Sequence, residues 1–208
     1  MKKLQVLIFL LLACFYVIKL SSPLLLLLLV ILGLLFAALF NSDNENIVTT
    51  CLGVASLVTL ELLLFEYVIP TKSETIEQVW VNSIIYGVHF IFDLTTLLFL
   101  MLRAPVLRFI NAHKNHKYFI TNTEFGLMTV FVMFLFVDLA AFVENLVRNL
   151  EHIGVAEETA KAFWDYNWIF YNYLNIKTII QTIMMIVVFT TISKYSKEKF
   201  ELNKRSLS

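Results

Sequence analysis

The sequence predicts an all-α, polytopic transmembrane helix bundle of about six spans with no soluble domain, and three observations carry that prediction. Of 208 residues, 59% are hydrophobic, against roughly 45–50% in soluble domains, and the mean hydropathy is +0.79. Apolar runs follow one another along the whole chain, each near the roughly 20 residues that cross a hydrocarbon core of about 30 Å. Lys and Arg fall unequally on alternate sides of those runs. Glycine is scarce and the apolar runs do not alternate with polar residues, which argues against a transmembrane β-barrel.

The expected spans are 4–20, 23–40, 47–69, 79–102, 125–147 and 163–192. With the N-terminus inside, the inner segments hold Lys2, Lys3, Arg103, Arg108, Lys114, Lys117, Lys194, Lys197, Lys199, Lys204 and Arg205. The outer segments hold only Lys19, Lys72, Arg148 and Lys161. That bias follows the positive-inside rule for six spans with both termini cytoplasmic, and fits a bacterial inner membrane. The loop NSDNEN (41–46) is the exception, inside yet without a basic residue; its acidic residues weigh little in orientation, so the assignment stands.

Taken in order, the first element opens MKKLQVLIFLLLAC. Its basic start, apolar stretch and Leu11-Leu12-Ala13-Cys14 resemble a lipoprotein signal, but the chain continues apolar, so a retained span is expected. Ser21-Ser22-Pro23 forms a tight outer turn, with Pro23 placed to open the second helix. That helix, PLLLLLLVILGLLFAALF, has no polar side chain and is expected to face lipid on most sides. The short connections 41–46 and 70–78 make the second, third and fourth spans antiparallel neighbours. Segment 103–123 is a basic cytoplasmic loop in which Val106, Leu107, Phe109 and Ile110 interleave with Arg108 and Lys114. Arg103, Arg108, Lys114 and Lys117 are therefore expected to lie against anionic lipid at the cytoplasmic leaflet. The sixth span opens with FWDYNWIFYNY, an interfacial aromatic belt, and 193–208 is a basic tail. Cys14 and Cys51 lie at different depths, so no disulfide is expected.

The chemistry sits in the spans. Asn82, Tyr86, His89, Asp93 and Thr96 are spaced by four, three, four and three, which places them on one face of the fourth span. Such a stripe faces the bundle interior, because lipid satisfies no polar group. At about 1.5 Å per residue, Glu61, His89 and Asp138 lie at similar depth in the outer half, with Lys177 somewhat shallower. An ionisable residue there costs about 2.5–3.5 kcal/mol on insertion scales. Glu61, His89, Asp93, Asp138 and Lys177 are thus candidates for an ion or proton path, supported by Asn82, Tyr86, Asn145, Tyr173 and Gln181. Glu66, Glu144 and Arg148 would line an outer vestibule, Glu144 and Arg148 as a local ion pair one turn apart. The bland alternative is a network, such as Lys177 with Asp138, that only fixes helix order. His113 and His116 have metal-site spacing, but flanking lysines and the lack of a third ligand favour a solvated basic loop.

No nucleotide-binding, hydrolase, metalloprotease, selectivity-filter or voltage-sensor pattern is present in the sequence. The first function class is a small transporter or channel-like protein moving protons or a cation through the interior of spans three to six, with a homo-oligomer if one subunit cannot enclose the path. The second is a non-catalytic interaction, assembly or immunity protein that binds a membrane partner and whose buried charges only pair helices. An intramembrane aspartyl enzyme using Asp93 and Asp138 ranks lowest, because their estimated depths differ by several ångströms. No cofactor, metal or nucleic-acid partner is expected.

Overall fold

The computed structural model describes residues 23–69, 73 and 75–206. The expected first span, with Cys14, lies outside the described residues. Among the described residues there are six α-helices: α1 (Pro23–Phe40), α2 (Glu45–Tyr67), α3 (Gln78–Ile110), α4 (Asn122–Arg148), the short α5 (Glu157–Ala160) and α6 (Trp168–Ser206). Single 3₁₀ segments occupy Ala112–Lys117, Leu150–Ile153 and Lys161–Phe163. Among the described residues there is no strand.

Among the described residues four helices are long and apolar enough to cross a membrane: α2, α3, α4 and α6 through Ile192. The shorter apolar α1 joins them. Helix α1 packs on α2 and α6, α3 on α2 and α4, and α4 on α6, so the five helices close into a ring. Its perimeter is apolar and open: Phe36, Leu39, Phe109, Phe125 and Phe136 are each more than half exposed. A soluble surface does not carry such a continuous apolar face, whereas a bilayer covers it at no cost. The protein is an integral membrane helix bundle.

Local sequence explains the helix starts. Asn44 accepts from the N–H groups of Asn46 and Ile47 to cap α2. Thr121 and Glu124 form a reciprocal capping box at the start of α4. The first turn of α6 is capped by a residue of another helix: the Glu144 carboxylate accepts from Ile169 N at 2.8 Å and Phe170 N at 2.7 Å. Glu144 is therefore engaged across α4 and α6 rather than with Arg148, whose guanidinium stacks 4.3 Å from the Phe170 ring centroid. The local ion pair expected from their spacing gives way because two unpaired amides at a helix N-terminus attract a carboxylate as well.

Two boundaries differ from expectation. Helix α3 runs eight residues past the apolar span, through Pro105 to Ile110, so the first third of the expected basic loop is helix. Helix α6 starts later than the apolar run and continues into the basic tail. In both places hydropathy marks where the bilayer ends, which is not where backbone hydrogen bonding ends.

The core lies in the half of the ring nearer residues 111–121. Val30, Leu34, Cys51, Val54, Leu100, Leu127, Phe131, Met184 and Val188 are buried together there. Two glycines permit close contact. A Cβ on Gly53 would stand 2.1 Å from the Phe99 ring, and one on Gly126 would stand 3.0 Å from Val187. The other half of the ring is less completely filled, and Glu61, His89, Asp93, Asp138 and Lys177 lie there.

Candidate functional site

Helix α3 supplies the organising stripe. Asn82, Tyr86, Asp93 and Thr96 are buried, and His89 on the same face is partly so. At the N-terminal end of the stripe, Asn82 donates to Asn145 Oδ1 at 3.3 Å, while Asn145 donates to Val79 O at 2.9 Å and Ser83 Oγ at 3.0 Å. These amides clamp α3 to α4. The Tyr86 ring meets the Tyr173 ring edge-on, with centroids 5.0 Å apart, which ties α3 to α6.

Deeper, two ionic groups share one cavity. Helix α2 presents Glu61 to His89 of α3, with Oε1 to Nδ1 at 2.6 Å; the imidazole also stacks on Phe65, centroids 4.2 Å apart. On the opposite wall Lys177 of α6 lies 2.8 Å from Asp138 of α4 and 3.5 Å from Asp93 of α3. Tyr173 donates to the same Asp138 Oδ1 at 2.7 Å. The ammonium also lies 5.3 Å from the Phe134 ring and 5.4 Å from the Tyr173 ring. The sequence places Asp93 and Asp138 several ångströms apart in depth. A lysine reaches far enough to bridge that difference, and both acids converge on it.

The cavity has a volume of about 300 Å³. Helix α1 contributes Leu27 and Val30, α2 contributes Glu61 and Phe65, α3 His89 and Asp93, α4 Phe134, and α6 Tyr173, Lys177 and Gln181. Its wall includes the acidic and basic side chains of His89, 23% exposed, Glu61, 15%, Lys177, 12%, and Asp93, 6%, whereas Asp138 is not on the wall and is fully buried. Asp138 is thus connected to the cavity through Lys177 and Tyr173, and its second oxygen, Oδ2, is buried with no hydrogen-bond donor among the described residues.

The charges do not balance. Glu61, Asp93 and Asp138 face one lysine and one histidine. With Lys177 charged, the cluster lacks one positive charge if His89 is protonated and two if it is neutral. In a low-dielectric interior such an excess is costly unless a proton or another cation joins the carboxylates.

A second ionic centre closes the ring at the 111–121 end. Arg103 pairs with Glu124 through Nε and Oε1 and through Nη2 and Oε2 at 2.9 Å. It also donates to Asn46 Oδ1 at 3.2 Å, Thr49 Oγ1 at 3.1 Å and Phe119 O at 2.9 Å. The expectation that Arg103 lies against lipid is corrected: its side chain is 2% exposed and Glu124 is fully buried. The extra helical turns of α3 carry it inward, and the fork geometry of guanidinium suits a bidentate carboxylate. Arg108 and Lys117 do remain exposed on the loop side, and Lys114 lies on the 3₁₀ segment between them. Sequence reasoning missed Glu124, Asn46 and Thr49; the Thr-x-x-Glu box at 121–124 was the available signal, since it fixes a carboxylate at the mouth of α4.

Glu66 is exposed at the last turn of α2 and does not line the cavity. Among the described residues, no group of His, Cys, Asp and Glu could hold a metal ion. Comparison with protein-family models, curated proteins and solved structures finds no match to this chain.

Proposed function

We propose that this is a small membrane transporter or channel-like protein that moves protons or a cation through the polar interior of α2, α3, α4 and α6. The observation that carries the reading is the convergence of three carboxylates on one lysine and one histidine beside a cavity. A purely structural network favours matched charges, because an unpaired buried charge costs several kcal/mol. Here the mismatch falls where four helices meet, and Asp138 keeps one oxygen without a donor. An exchangeable proton or cation makes up that mismatch, and its arrival and departure is the elementary step of transport. His89 suits a proton relay, since imidazole changes charge near neutral pH.

The second reading, an interaction or assembly protein with purely structural charges, is favoured by the Lys177–Asp138 contact at 2.8 Å, which is that of a closed ion pair. The two readings separate in liposomes that hold an entrapped pH dye and a pH gradient. Transport predicts that the wild type collapses the gradient and that Asp138→Asn, still folded, does not. A wild type no leakier than empty liposomes, with a Lys177→Met destabilisation rescued by Asp138→Asn, refutes it.

A further inference from the structure

We infer that the cavity between α1, α2, α3, α4 and α6 binds a monovalent lipophilic organic cation, an aromatic amine or ammonium, with Glu61 as its anionic partner. The inference rests on the transport reading above and names its substrate class.

Size, wall chemistry and charge each narrow the ligand. A volume of about 300 Å³ is at the lower end of small-molecule pockets, about 300–1,000 Å³, and far exceeds what a bare metal ion fills. The wall is largely apolar, with Leu27, Val30, Phe65, Phe134 and Met184 among its residues. Such a surface rejects a strongly hydrated ion, whose water it cannot replace. The excess of carboxylates rejects an anion. An apolar body carrying one positive charge satisfies all three conditions, and Phe65, Phe134 and Tyr173 offer ring faces to it.

Glu61 is singled out by its partners. Asp93 and Asp138 are both held by Lys177, a permanent cation, whereas Glu61 is held by His89, whose charge is removable. Beside this pair the cluster holds Asp93 and Tyr86 of α3, Asp138 of α4, and Tyr173 and Lys177 of α6, while α1 carries no charged or titratable residue. An organic cation at Glu61 supplies a positive charge that the three carboxylates otherwise lack.

The test is calorimetric titration of the detergent-purified protein with three ligands that share one ring: benzyltrimethylammonium, 3-phenylpropanol and 3-phenylpropionate. The inference expects the cation to bind at least about tenfold more tightly than the alcohol, a difference of about 1.4 kcal/mol, and the carboxylate not to bind. Glu61→Gln should weaken the cation about tenfold or more without weakening the alcohol. Equal affinity for cation and alcohol, or a folded Glu61→Gln variant with unchanged affinity, overturns the inference. If Glu61→Gln does not fold, the three-ligand series on the wild type decides alone. Gradient collapse without cation binding overturns the substrate class and leaves the transport reading standing. Cation binding without any flux supports the cavity's ligand and overturns transport.

Discussion

Replacing Arg103 with methionine removes five hydrogen bonds at one stroke: two to Glu124 and one each to Asn46, Thr49 and Phe119. Methionine keeps much of the apolar stem, so the loss is mainly polar. The consequence lies less in the missing bonds than in what stays behind. Glu124 is fully buried and retains only the Thr121 N–H at 2.7 Å and hydroxyl at 3.2 Å as donors. Breaking a buried pair by removing one partner costs about 3–5 kcal/mol. At about 2–4 °C per kcal/mol for a chain of this size, the melting temperature in detergent should fall by about 6–20 °C. Arg103→Lys should fall between, since one ammonium cannot reproduce the fork. The double variant Arg103→Met, Glu124→Gln should recover much of the loss, because the stranded charge is gone. Thermal unfolding of the purified wild type and variants measures all of this. A single variant within about 1 kcal/mol of wild type, or a double variant no better than the single, would refute the argument that this pair is a buried lock between α3 and α4.

Three further outcomes follow from the packing. Gly53→Val should destabilise the α2–α3 contact by about 1–3 kcal/mol through collision with the Phe99 ring, and Phe99→Ala in the same chain should relieve it, both read by thermal unfolding. Glu144→Leu should uncap α6 at a cost of about 0.5–2 kcal/mol, seen as faster hydrogen exchange at the Ile169 and Phe170 amides. Neutralising Arg108, Lys114 and Lys117 together should weaken retention of anionic lipid by about 1 kcal/mol per charge; lipid carried through purification, measured by mass, tests this, and unchanged selectivity would leave the loop merely solvated.

Much of the bundle was legible from the chain. The bounds of α1 coincide with the apolar run 23–40 because Pro23 opens the helix and the polar Asn41 follows it. The spacing of Asn82, Tyr86, His89 and Asp93 placed one stripe on the interior face of α3, and the packing bears that out. Depth reckoned along the helices set Glu61, His89 and Asp138 at one level with Lys177 somewhat shallower, since rise per residue is nearly constant, but it did not tell that Glu61 meets His89. Partners were less legible. Asp93 looked too deep for Asp138, because depth along an axis ignores the reach of a lysine. Arg103 read as a loop residue because an arginine after an apolar run resembles an interfacial anchor, and nothing local announces a buried Glu124 twenty-one residues on. Glu144 read as a partner for Arg148 because spacing within one helix is visible, while the N-terminus of α6 that it caps comes from elsewhere in the chain.

Transport requires that the charges of α2, α3, α4 and α6 border a cavity that water and solutes reach, rather than form a dry ionic lock. Cysteine labelling asks this directly. In a chain with Cys14 and Cys51 both replaced by alanine, Gln181→Cys puts a thiol on the cavity wall and Val130→Cys puts one in the packed core. Thiolate chemistry with a small, charged methanethiosulfonate reagent requires water at the sulfur. Gln181→Cys should label readily in intact vesicles, benzyltrimethylammonium should slow it, and Val130→Cys should stay unlabelled. A Gln181→Cys thiol as inert as that of Val130→Cys would overturn the transport reading and leave the buried charges as helix pairing alone.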